Sequence, residues 1–331
     1  MTAPTIEIAL VIYPGAQLAS VYGLTDLFGV ATRLASRNPE QNTEPAITVS
    51  HWKLQEPDSE PVRVFETEKR LRAIPDVLIL PPALGEAPST ETASAYSPWL
   101  IDQHRQGTIL CSICAGAFLL GETGLLSGRP ATTHWAHADL FAARFPAAHL
   151  DVDKLVIDDG DLITAGGVMA WMDLGLKLVE RFLGPTIMAE TARLLVIDPP
   201  GREQRFYSSF SPRLTHGDLA VLKVQHWLHA TAAKDMSLAN LVAQSGLEER
   251  TLLRRFRRAT GMTTTEYCQR MRISKACELL RTSVTPIETI AWDVGYGDAG
   301  AFRKIFLRIV GLTPSDYRQR FNSRGTVIST R

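Results

Sequence analysis

Leu238-Ala-Asn-Leu241 … Ser245-Gly246-Leu247 … Leu252 … Phe256 … Gly261-Met-Thr263 … Tyr267 is a pattern that the chain writes twice. The second copy reads Ile287-Glu-Thr-Ile290 … Val294-Gly295-Tyr296 … Phe302 … Phe306 … Gly311-Leu-Thr313 … Tyr317, with one extra residue after its turn. A separation of about fifty residues marks two copies of one supersecondary unit. Each copy predicts a helix, a tight turn at glycine and a second helix whose outer face can enter a DNA major groove. Leu252 and Phe256, then Phe302 and Phe306, are spaced four apart. They form the apolar stripe that packs each second helix onto its own unit. Between the copies, residues 266–281 predict one long helix that spaces the two units. Gly261 and Gly311 stop the second helices, and Ser237 starts the first.

Outward from this stretch, charge divides the chain. The whole sequence carries 35 Lys+Arg against 35 Asp+Glu. Residues 1–215 hold 17 basic against 25 acidic side chains, a net of −8, and residues 216–331 hold 18 against 10, a net of +8. A basic terminal part beside an acidic one points to a polyanion-binding module attached to something else. With 331 residues and 45% apolar content, the chain has material for two ordinary cores, which excludes wholesale disorder and collagen-like repeats. Cys111, Cys114, Cys268 and Cys277 are too few for a disulfide framework. No secretory signal pattern and no membrane-length apolar run is present, so a cytoplasmic location is expected.

The first two hundred residues alternate strand and helix signals. Residues 6–13 read as a buried strand ending at Pro14-Gly15, and Leu18–Ala35 has helical spacing. Strands are expected at 47–54, 76–80 and 108–112, helices at 99–106 and from 115 to 120, and a hairpin at 155–164 around Asp159-Gly160. Two helical patterns close the region at 168–182 and 186–195. This order predicts an α/β, doubly wound, flavodoxin-like domain with a mostly parallel sheet, followed by an all-α domain. Ligands of such sheets sit beyond the C-terminal ends of the strands, where loops 81–85, 112–116 and 164–167 fall. Residues 199–215 (PPGREQRFYSSFSPRLT) lack periodicity and read as a linker or docking segment. The expected division is therefore 1–198, a linker at 199–215, a helical domain at 216–321 and a frayed tail at 322–331.

Cys111-Ser-Ile-Cys114-Ala-Gly116 follows a strand and opens a helix. A thiol on that turn lies near unpaired helix N–H groups, which favour the thiolate and lower its pKa. Cys114 is thus a candidate reactive or ligand-contacting group, with Ala115 beside it. His134 and Trp135, in Thr132-Thr133-His134-Trp135, and Asp26 are candidate companions, and Gly85 marks a neighbouring loop. Each has a plainer reading as a packed or solvated residue. A lone Cys-x-x-Cys does not make a zinc site, and neither metal nor cofactor is expected.

Residues 6–195 resemble the PfpI-like branch of the class I glutamine amidotransferase-like superfamily. The resemblance rests on the Ser-Ile-Cys114-Ala-Gly elbow, Ala131-Thr-Thr-His134-Trp after Pro130, and Gly23-Leu-Thr-Asp26-Leu-Phe28. It implies an acid, the elbow Cys and a His around one pocket, at Asp26, Cys114 and His134. The chain departs from that pattern in two places. Pro81-Pro82-Ala83-Leu84-Gly85 stands where the family often has Pro-Gly-Gly, and the acid is Asp rather than Glu. Residues 216–321 resemble the AraC/XylS family of transcription regulators. That resemblance is carried by Arg250-Thr-Leu-Leu-Arg254-Arg-Phe256, Val294-Gly295-Tyr296, Phe302-Arg303-Lys304 and Gly311-Leu-Thr-Pro314.

Together these readings predict a sequence-specific DNA-binding transcription regulator that responds to a metabolite through its N-terminal domain. The alternative is a Cys-dependent hydrolase or hydratase fused to a DNA-binding domain. Expected DNA contacts are Arg250, Thr251, Leu253, Arg254, Arg257 and Arg258 in the first unit, and Ala299, Gly300, Arg303 and Lys304 in the second. The first unit is expected to carry more of the base reading. The resemblance implies an effector such as an amino acid or amine, a homodimer and RNA polymerase as a further partner, with no membrane involved.

Overall fold

The computed structural model describes residues 5–36, 46–56, 59–68, 74–198, 201–208, 210, 212–233 and 236–322. The expected fraying from Asn322 onward thus lies, Asn322 aside, outside the described residues. The chain divides into two compact units, Met1–Gln204 and Arg205–Arg331.

The first unit is built on strands β1 (Thr5–Val11), β2 (Ala46–Lys53), β3 (Val62–Glu66), β4 (Val77–Leu80), β5 (Ile109–Ile113), β6 (Pro130–Ala131), β7 (His149–Leu150), β8 (Val156–Asp158) and β9 (Leu162–Ala165). Its helices are α1 (Leu18–Ala35), α2 (Thr90–Ser94), α3 (Ser97–Arg105), α4 (Ala117–Glu122), α5 (Ala138–Arg144) and α6 (Trp171–Leu195). Seven strands form one sheet in the order β3-β2-β1-β4-β5-β9-β8, and β6 and β7 pair separately. The five inner strands run parallel, and β3 and β8 join the edges antiparallel. Inner strands covered by helices on both faces must be apolar throughout, and Val77–Leu80 is buried at every position. Each fully buried Val, Leu or Ile there contributes about 1.5–3 kcal/mol.

α1 packs on α6 through small residues: a Cβ on Gly175 would lie 2.9 Å from Leu24, and one on Gly23 would lie 2.6 Å from Trp171. The two helical patterns expected at 168–182 and 186–195 form one assigned helix that breaks at Gly184-Pro185, where Gly184 has φ 84°. Sequence periodicity passed over β3, α2, α5 and the short β6–β7 pair. β3 is a mostly exposed edge strand without an apolar run, and α2 spans five residues.

The second unit is helical: α7 (Leu219–Ala230), α8 (Leu238–Ser245), α9 (Glu249–Thr260), α10 (Thr264–Thr282), α11 (Ile287–Asp293), α12 (Ala299–Val310) and α13 (Pro314–Phe321). The repeated Gly-x-Thr has a local cause. Gly261 (φ 74°) and Gly311 (φ 83°) end α9 and α12 in the left-handed region that glycine adopts without strain. Two residues on, Thr263 and Thr313 cap α10 and α13 through their hydroxyls. The repeated Phe and Tyr meet edge to face in both copies, Phe256 with Tyr267 at 5.3 Å and Phe306 with Tyr317 at 5.7 Å between ring centroids. Two cores result. Tyr267 and Cys268 of α10 belong to the first, and Ile273, Ala276 and Leu280 of the same helix belong to the second. No helix among the described residues is long and apolar enough to cross a membrane.

Candidate functional site

In α9, Leu252, Phe256 and Ala259 are buried, which turns the remaining faces outward. Arg250, Arg254, Arg257 and Arg258 are exposed, and Thr251 and Leu253 are half-buried. The four arginines form no ion pair with another described residue. Arg255, inside the same run, is different. Its guanidinium clasps Asp218 with two hydrogen bonds, of 2.8 and 2.7 Å, and that pairing holds the Asp218 carboxyl below its ordinary value. Asp218 in turn caps α7. α9 therefore keeps one arginine for the fold and presents four outward.

α12 differs at its N-terminus. Asp298 accepts hydrogen bonds from the amides of Gly300 (3.2 Å) and Ala301 (2.6 Å), so a carboxylate occupies the place where a phosphate could bind. Glu248, at the corresponding position of α9, makes no side-chain cap. Arg303 is paired with Glu288 of α11, and Lys304 is exposed. Ala299 is half-buried and Gly300 exposed, and neither offers a side chain able to hydrogen-bond a base.

In the first unit, the chain leaves β1 toward one edge of the sheet and returns through β4 toward the other. The crevice between β1 and β4 is the topological switch point, where ligands of open α/β sheets bind. Tyr13, just past β1, donates a 2.5 Å hydrogen bond to the Pro81 carbonyl, just past β4. The elbow after β5 lies alongside: a Cβ on Gly116 would fall 2.3 Å from the Leu80 carbonyl oxygen and 2.7 Å from that of Pro81, so only glycine fits. Cys114 sits at φ 54°, a conformation that costs a non-glycine residue about 1–3 kcal/mol. Thr133 holds it there, its hydroxyl donating to the Cys114 carbonyl at 2.7 Å.

The expected lowering of the Cys114 pKa is not what the structure shows. Burial pushes the thiol up to about 11, outweighing the one backbone N–H, from Ala115, that favours the thiolate. The helix that was to supply more N–H groups begins at Ala117, after a 3-10 turn over Cys114–Gly116. His134 accepts a 3.1 Å hydrogen bond from the Ala136 amide on Nδ1, which leaves the neutral ring's proton on Nε2. Burial, then His137, lowers its pKa. Such a ring donates rather than accepts and is poorly suited to deprotonating a thiol.

The structure thus brings together Cys114, the buried Ala115 and the segment holding His134 and Trp135. Asp26 lies on the exposed side of α1, opposite the buried Leu24, Leu27 and Phe28, and Gly85 lies on an exposed loop. Neither bonds to the elbow among the described residues. Two features went unnoticed in the sequence. One is a cavity of about 480 Å³ at the C-terminal ends of β1 and β2, floored by Ile12, Tyr13, Leu54 and Tyr96 and rimmed by Lys53, Glu56 and Glu91. The other is Gln204, 2% exposed, whose side chain inserts beside Thr133 and Trp135. Neither lies in a motif. The cavity is assembled from three separate stretches, and an isolated Gln in a Pro/Arg/Ser-rich run resembles solvent-facing chain.

With this geometry in hand, comparison with known proteins is informative. A family model for a helix-turn-helix domain matches residues 241–320, and one for the DJ-1/PfpI family matches residues 69–181. The chain is similar to HTH-type transcriptional regulator GlxA of Rhizobium meliloti, 27% identical over 72% of this chain and 74% of that protein. It is similar to HTH-type transcriptional regulator CdhR of Pseudomonas aeruginosa, 26% identical over 71% of this chain and 70% of that protein. Isonitrile hydratase of Pseudomonas putida is 34% identical over a shorter stretch, 36% of this chain and 49% of that protein.

Proposed function

We propose that this DNA-binding transcriptional regulator, which joins a DJ-1/PfpI domain to an AraC-type helix-turn-helix domain, takes a small ammonium-bearing metabolite in the cavity above β1 and β2 of its first unit. The observation that carries this reading is the cavity's chemistry. Its volume falls within the range of ordinary small-molecule sites, and its floor is apolar and aromatic. Glu56 and Glu91 face a single ammonium, Lys53, which leaves carboxylate charge for an amine or an amino acid. Tyr13 lines the cavity and bonds to the Pro81 carbonyl of the loop against which the elbow packs, so an occupant touches a residue one bond away from that loop.

In the second unit, α9 reads bases through Arg250 and Arg254 with Thr251 and Leu253 beside them, and Arg257 and Arg258 hold phosphate. α12 acts mainly as a clamp through Lys304. The chain works as a homodimer on paired sites, and bound effector shifts the population of DNA-competent arrangements that RNA polymerase reads out. Cys114 serves as packing in the elbow rather than as a nucleophile.

The test is a thermal-shift screen of the full chain against amines and amino acids, beside an Ala95→Trp variant that fills the cavity. A ligand that binds only the folded state raises the melting temperature. The expected result is a shift for at least one amine that the variant loses. A shift of equal size in the variant would place the effector elsewhere.

A further inference from the structure

Residues 202–204 carry three successive side-chain attachments to the first unit. Arg202 grips Asp173 of α6 with two hydrogen bonds, and Asp173 is only 3% exposed. Glu203 pairs with Lys154 at 3.0 Å. Gln204 donates from Nε2 to the carbonyls of Thr133 and Val152, both at 2.9 Å, and accepts from the Trp135 amide at 3.1 Å. Gly166 makes room for it, since a Cβ there would lie 2.5 Å from Nε2. One residue further on, the chain belongs to the second unit.

Beneath this strap lies a cavity of about 210 Å³, separate from the one above β1 and β2. The body of the unit supplies Lys154, Leu155, Val156 and Lys177 to its wall, and the strap supplies Gly201, Arg202 and Glu203. Cations outnumber acids, because Asp173 and Glu203 face Lys154, Lys177 and Arg202. The Lys177 ammonium lies at the long end of ion-pair distance, 3.8 Å from Asp158 and 3.6 Å from Glu180, whereas Lys154 and Arg202 each hold a carboxylate more closely.

We propose that this cavity binds a small carboxylate metabolite and that the bound carboxylate locks the strap onto the first unit. Lys177 takes the carboxylate from the body of the unit, Arg202 adds its positive charge from the strap while it still clasps Asp173, and Leu155 and Val156 face the carbon chain. The direction of the effect follows from linkage. Part of the wall is the strap itself, so the site exists only while the strap is seated, and any occupant favours the seated state. A second metabolite class thereby fixes the point at which the chain leaves the first unit, next to the elbow and the Thr132–Trp135 segment.

Trypsin cleavage after Arg202 and Arg205 in the full chain, mapped by mass spectrometry, reads the strap. Succinate is the probe, inorganic phosphate is the comparison anion, and sodium chloride matches the ionic strength. Succinate at about ten times its Kd slows cleavage about tenfold, by the factor one plus ligand over Kd. Lys177→Met, at a near-native melting temperature, keeps the ligand-free rate and loses the protection. Gln204→Ala is cleaved faster than the native chain without any anion. Ala95→Trp, which blocks the larger cavity, keeps the succinate protection, so failure of the amine reading and failure of this one are told apart. Protection no greater than that of sodium chloride, equal protection by phosphate, or protection that survives Lys177→Met would each overturn the proposal.

Discussion

The two helix-turn-helix copies share a skeleton and differ at the surface. Both second helices end at a left-handed glycine, both are followed by a threonine cap, and both bury a phenylalanine against a tyrosine. Outside that skeleton, α9 presents four exposed arginines from an uncapped N-terminus, whereas α12 has a carboxylate on its first amides and its arginine paired with Glu288. The difference shows what duplication constrains. Packing residues must recur because each copy builds its own core, while exposed residues are free to diverge.

The largest expected effect tests whether the cores are as separate as they look. Phe256→Ala should cost about 3–5 kcal/mol, as truncation of a buried aromatic does. Amide exchange should then rise in α8 and α9 and leave α11 to α13 protected. Uniform exchange across the whole unit would make the copies one cooperative block. Next comes reading against clamping. Arg254→Ala should remove about 1–3 kcal/mol of discrimination at one base position. Lys304→Ala should weaken binding to all sequences alike and lower the salt slope by about 1. Binding titrations on an operator and its single-base variants, at several salt concentrations, separate these outcomes; a loss of specificity with Lys304→Ala and not with Arg254→Ala would reverse the assignment.

A smaller effect concerns the capped N-terminus of α12. Asp298→Ala should lower the midpoint of chemical denaturation, because α12 loses the carboxylate that accepts from its first amides. Glu248→Ala, at the uncapped position of α9, should leave the denaturation midpoint nearly unchanged. Equal losses would mean that Asp298 does not act as a cap. The smallest is Glu288→Ala, which releases Arg303 toward DNA. Because that pair is exposed, the gain in affinity should stay below about 1 kcal/mol. A drop in affinity would show that the pair positions Arg303 instead of withholding it.

Legibility followed the same division between packing and surface. The range Leu18–Ala35 was readable as a helix because one face is continuously apolar, and the bounds match. The inner strands were readable because burial on both faces demands β-branched and apolar runs. β3 was not, since an edge strand exposed along most of its length need not alternate. At the elbow, the sequence located the turn but not the charge state of Cys114. Desolvation depends on everything that packs around the sulfur, and that surround is drawn from residues outside the motif, such as Thr133 on the Cys114 carbonyl. Gln204 could not be found at all from local pattern, because its three partners come from loops near residues 133, 135 and 152.

The sequence by itself determined the doubled helix-turn-helix, the α/β order of the first unit and the split of charge between them. These follow from periodicity, turn residues and composition, which are local properties. Only the tertiary structure decided which arginines are free, where the cavities lie and what holds Cys114 and Gln204 in place. Those depend on contacts between residues far apart in the chain, and no window of neighbouring residues contains them.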